Sequence, residues 1–171
     1  LERAAARRLP ILVANPCLMD SRSVAEFGRP ILLDEAARTI KGLTLVLGDL
    51  GHAWIDEALL MAGKHERVFA EISGVVSRPL ALFTTLVTAY ERSAMNKLMF
   101  ASGFPAETPE RAIERLYTMS SFRSASLAPG AAAPPREAVR AIVERDALAA
   151  MGIEWAATAR SRRAASVGAG E

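Results

Sequence analysis

Leu43-Thr44-Leu45-Val46-Leu47-Gly48-Asp49-Leu50-Gly51-His52 passes from an unbroken apolar run into a polar turn carrying two glycines. A short continuous apolar run bounded by turn signals fits a strand buried on both faces, as in parallel sheets. The flanks agree. Residues 30–41 suit a helix, with Pro30 at its start and Ile31, Leu32, Ala36 and Ile40 on one face, and Gly42 closes it. After the turn, Trp54 to Ala62 reads as helix again, with Gly63 as its stop. Helix, buried strand and helix in succession is the unit of a parallel α/β fold.

The same unit recurs on both sides. Residues 1–8 are rich in Ala and Arg and helix-prone, Pro10 punctuates, and Ile11-Leu12-Val13-Ala14 is a second buried strand broken by Asn15-Pro16. Downstream, Arg67-Val68-Phe69-Ala70-Glu71-Ile72 is a strand ending at Ser73-Gly74, and residues 79–93 make a helix. Lys97-Leu98-Met99-Phe100-Ala101 is a fourth strand, broken by Gly103-Phe104-Pro105. Thr108 then caps a helix that reaches about Tyr117, with Pro109 in its first turn. Residues 124–135 read as a flexible connector, and Pro135-Arg136 leads into a helix running to Met151 and capped by Gly152. Residues 1–152 are thus expected to form one α/β unit with a parallel sheet, and 153–171 a helix end and flexible tail.

Composition excludes more than it assigns. The 171 residues are 51% hydrophobic and 23% charged, enough for one compact domain with a real core. A net charge of +2 gives no case for a nucleic-acid or membrane-surface partner. Cys17 is the only cysteine, so no internal disulfide and no cysteine zinc cluster can form, and a reduced cytoplasmic compartment is the expectation. No apolar run approaches the roughly 18 residues of a membrane span. The opening Leu1-Glu2-Arg3-Ala4 reads as the tail of a helix cut open, as in a processed, truncated or split product.

Function in parallel α/β folds gathers where strands end, so the strand ends matter most: Ala14-Asn15-Pro16, Asp49-Leu50-Gly51-His52, Ser73-Gly74 and Ser102-Gly103-Phe104-Pro105. In this order and spacing they resemble the amidohydrolase-related family of metal-dependent TIM-barrel hydrolases and decarboxylases, from roughly Leu9 to Gly152. Leu45 to Trp54 looks like the family's sixth strand and turn, where His-Leu-Gly is usual and His-Pro-Trp often follows. Val68 to Gly74 looks like its seventh strand. Met99 to Pro105 looks like its eighth, usually Phe-Gly-Ser-Asp-Phe-Pro, and Glu144 to Gly152 is similar to its closing helix. The resemblance implies a parallel (β/α) half-barrel, the carboxyl-terminal half of a TIM barrel with about strands five to eight.

The departures bear on chemistry. Where the family's fifth strand commonly ends in histidine, this chain has Ala14, or Asn15 if the register slips; the sixth-strand histidine is Asp49 and the eighth-strand aspartate is Gly103. A catalytic divalent ion needs about three protein ligands and an open position, which these residues do not supply. The expectation is therefore no cofactor and a structural, regulatory or ligand-binding subunit, completed by a second copy or a partner chain that covers the open half-barrel. The alternative is half of a split metal-dependent enzyme, using zinc or manganese on a small carboxylated or cyclic substrate. Asp49 and His52 are the candidate catalytic pair, and Asn15, Ser73 and Ser102 the candidate ligand-binding residues. Each also has a plainer reading. His52 is a polar residue near a helix start, Asp49 a turn acceptor, and Cys17 an inert thiol. Glu71 faces either the helices or the barrel interior. His65, in Lys64-His65-Glu66-Arg67, reads as a solvated loop residue, and Met95, Met99 and Met119 as core filling. The arginines 160, 162 and 163 belong to the tail.

Overall fold

The structure is a computed structural model, and it describes residues 1–14, 20–121 and 134–153, with Ser120 and Ser121 described by backbone alone. Asn15, Cys17, most of the expected connector and the arginine-bearing tail lie outside the described residues.

Four short parallel strands form one open sheet in chain order: β1 (Ile11–Val13), β2 (Leu45–Leu47), β3 (Val68–Glu71) and β4 (Leu98–Met99). The register sets Leu12 beside Val46 and Val46 beside Phe69, and Val13, Leu47, Ala70 and Leu98 form the neighbouring row. Alternation along each strand sends these two rows to opposite faces. One face, with Leu45, Leu47, Val68, Ala70 and Leu98, meets the main core. The other face carries Val46, Phe69 and Met99, which form a small separate cluster. Every residue of β2 is buried, as the unbroken apolar run predicts.

The helices are α1 (Glu2–Ala6), α2 (Asp34–Thr39), α3 (Ile55–Lys64), α4 (Ser73–Val76), α5 (Pro79–Glu91), α6 (Pro109–Ser121), α7 (Arg136–Val143) and α8 (Ala147–Ala150). The main core draws Leu59 and Met61 from α3, Leu82 and Leu86 from α5, Leu116 from α6, and Val139 and Ile142 from α7. The methionine reading holds: Met95 and Met99 are buried, and Met119 packs against the core.

Three expected elements differ. Residues 30–41 are not one helix but a 3₁₀ turn, Pro30–Leu33, followed by α2, and Leu32 is exposed. The change of helical pitch moves Leu32 off the face that Ala36 occupies. Gly63 does not stop its helix, which runs on to Lys64. The single helix expected from Pro135 to Met151 is broken at Asp146, whose extended backbone and side chain, accepting from Ala149 N–H at 2.9 Å, cap a new helix, α8. The break lets α8 turn across the second sheet face, where Ala147, Ala150 and Met151 cover Val46, Phe69 and Met99.

His65 is not the solvated loop residue expected. Its side chain is 12% exposed, and Nε2 lies 2.7 Å from Asp34 Oδ1, joining the end of α3 to the start of α2. Lys64 reaches the same carboxylate, and together they hold Asp34 below the usual carboxylate range. At the amino-terminal end of the strands, Lys97 lies 5.2 Å from the Phe69 ring centre and donates to the carbonyls of His65 and Glu66. Burial lowers the Lys97 pKa, opposed by Glu66 and aided by Arg145.

Candidate functional site

The chain turns sharply where β2 ends. Asp49, Leu50, Gly51 and His52 all have positive φ, from 51° to 68°. This left-handed conformation costs a non-glycine L-residue about 1–2 kcal/mol, and three of the four carry side chains. Burial of Leu50, fully enclosed in the main core, offsets part of that cost at about 1.5–3 kcal/mol. Gly51 is needed here for space as well as for φ, since a Cβ would lie 2.8 Å from Pro30 Cγ and 3.1 Å from Ala58 Cβ. The turn throws Asp49 and His52 to different neighbours.

Asp49 joins a polar cluster at the ends of β2 and β3. The Ser73 hydroxyl lies 2.8 Å from Asp49 Oδ1 and 2.9 Å from Glu71 Oε1, so its single proton is shared between two carboxylates. Glu71 also accepts from the Ser73 backbone N–H at 2.8 Å and from the Asp49 backbone N–H. Glu71 therefore does not face the helices. By alternation it shares the side of Phe69, the inner side of the half-barrel, and it pairs in register with Met99. Gly103, at φ +75°, stands beside this cluster, where a Cβ would lie 3.4 Å from Ser73 Cβ. On the other side, Gly48 closes on Ala14, with room for no Cβ.

His52 is separated from these groups. Its backbone N–H donates to the Asp49 carbonyl at 2.8 Å, and the residue lines a cavity between the ends of β1 and β2 and residues 23–33. Asp49 thus pairs with Ser73, and no hydrogen bond joins its carboxylate to the His52 ring. Of the ligand-binding candidates, Ser73 is central to the polar cluster. Ser102 accepts from the Phe104 N–H at 3.3 Å, and Asn15 is not described. Sequence reasoning left Glu71 open and passed over Arg29. Strict alternation from the buried Phe69 would have placed Glu71 inward. Nothing local in the sequence marks Arg29, which pairs with Glu57 across 28 residues and so fixes the Pro30–Leu33 turn on α3.

Comparison with protein families matches residues 1–153 to the family described as amidohydrolase. The chain belongs to the amidohydrolase family. Searches of curated proteins and of solved structures gave no match. Amidohydrolases are built on TIM barrels, and this amidohydrolase chain carries a parallel sheet of four strands that stays open, as a partial barrel does. The functional face of such a barrel is the carboxyl-terminal end of its strands, which is where Asp49, Glu71, Ser73 and Gly103 gather.

Proposed function

We propose that this amidohydrolase half-barrel acts without the family's metal centre, as a structural, regulatory or ligand-binding subunit completed by a second copy or a partner chain. The observation that carries the reading is the donor set at the strand ends. Ala14 and Gly103 bring no donor atom to positions where the family resemblance expects histidine and aspartate. Asp49 and Glu71 do bring carboxylates, but both share the Ser73 hydroxyl, and Glu71 holds two backbone N–H groups besides. A catalytic divalent ion needs about three protein ligands and an open position. Among the described residues, no group of three or more His, Cys, Asp or Glu is placed to hold one. These donors do not fit the ion, and no metal-dependent step is assigned to them.

Elemental analysis of the purified chain after dialysis against a chelator tests this. Substoichiometric zinc and manganese are expected; a full equivalent of either, retained through the dialysis, overturns the reading.

One observation favours a second reading. Left-handed strain at Asp49, Leu50 and His52 is the kind of backbone cost that gathers at working sites. In this reading the chain is half of a split hydrolase or decarboxylase, its partner supplies the missing ligands, and Asp49 and His52 move protons for a small carboxylated or cyclic substrate. Loss of an activity in Asp49→Asn and His52→Gln, with folding intact, would establish it.

A further inference from the structure

The cavity beside His52 has a volume of about 390 Å³, within the range of about 300–1,000 Å³ typical of small-molecule sites. Val13 and Leu47 from the sheet, Phe27 from a 3₁₀ turn at Ala25–Gly28 and Leu33 from the Pro30–Leu33 turn give it apolar walls. Ser23, Arg29, His52 and Trp54 are its polar side chains, and among the described residues no Asp or Glu lines it. Among the described residues neither the His52 ring nor the Trp54 indole has a hydrogen-bond partner. Glu57 engages Nε and Nη2 of Arg29, leaving Nη1. Phe27 stands 78% exposed at the edge, a large apolar ring open on one side to solvent. The His52 and Trp54 donors and the remaining Nη1 edge of Arg29, over an apolar cleft with no acid among its described lining, select an apolar molecule bearing an acceptor, and a carboxylate is the acceptor that a guanidinium binds most strongly.

We infer that this cavity binds a small hydrophobic monocarboxylate, its apolar body against Val13, Leu47, Phe27 and Leu33 and its carboxylate among His52, Trp54 and Arg29. The inference gives the ligand-binding side of the proposed function a chemistry, and it is testable apart from it. None of Asp49, Glu71, Ser73 or Gly103 lines the cavity. A chain that retained zinc at the strand ends could still bind here, and a metal-free chain could fail to.

The full chain carrying Trp155→Phe leaves Trp54 as its one tryptophan, and its emission is the readout. Benzoate and hexanoate are the probes, with benzamide and benzylamine as controls. Both carboxylates should change the emission saturably, benzamide should bind about tenfold more weakly for want of the charge-assisted hydrogen bonds, and benzylamine should not bind. His52→Leu and Phe27→Ala should each weaken benzoate by about tenfold, by loss of one such bond and of one apolar wall respectively. Phe27 is so exposed that its truncation leaves the fold intact, so the test stands even if the strained position 52 does not accept leucine. No saturable change with either carboxylate, benzylamine matching benzoate, or undiminished binding in a folded Phe27→Ala variant would each overturn the inference.

Discussion

A Cβ on Gly74 would sit 2.9 Å from both the carbonyl carbon and the Cβ of Asp49, closer than real side chains approach. Gly74→Ala must therefore push the left-handed turn away from α4, disturbing the carboxylates that share Ser73. Overpacking of this kind costs about 1–3 kcal/mol, read as a lower urea midpoint. Gly63→Ala is the contrast, because nothing lies within 4 Å of the added methyl and the position is inside α3. That substitution should stabilise by up to about 1 kcal/mol. Single residues are also where sequence reading lost most. The sign of φ at Asp49, Leu50 and His52 is set by where Leu50 can be buried, a tertiary matter that no neighbouring residue announces. His65 looked solvated because its partner, Asp34, lies 31 residues away.

Between elements, the clearest link is the Arg29–Glu57 pair, which ties the Pro30–Leu33 turn to α3. The Arg29 guanidinium holds the Glu57 carboxyl below its ordinary 4.5, burial opposes it, and the Ile31 N–H adds to the lowering. A depressed carboxyl contributes stability above its unfolded pKa and loses it as pH falls through the folded value. Wild type should therefore melt above Glu57→Gln at pH 7, and the gap should close below about pH 4.5. Melting curves across that range check it; a gap that stays constant would remove the pair from the account. The Asp146 cap is a second such link, and Asp146→Ala should cost about 0.5–2 kcal/mol in denaturant unfolding. Strands and most helices were legible because continuous apolar runs and 3.6-residue spacing survive packing. The broken final helix and the 3₁₀ turns were not, since both arise from docking against a sheet whose position no local pattern contains.

For the molecule as a whole, ordered strand-end motifs were enough to read the half-barrel, and the open four-stranded sheet agrees with them. The sheet leaves β1 as an edge, with Leu12 64% exposed on the inner face. Such an edge invites pairing. Under the proposed completion by association, light scattering should show mass rising with concentration, and Leu12→Lys should return the chain to a monomer. A parent chain that stays monomeric throughout would count against it. The placement of α8 has a further consequence, in the order of events. Each strand pairs with the one made just before it, so the sheet can assemble as it leaves the ribosome. Val46, Phe69 and Met99, however, stay uncovered until Ala147, Ala150 and Met151 have been synthesised. Until then the three lie open on the inner surface as a place for chaperones to bind, and the docking of α8 is what closes it.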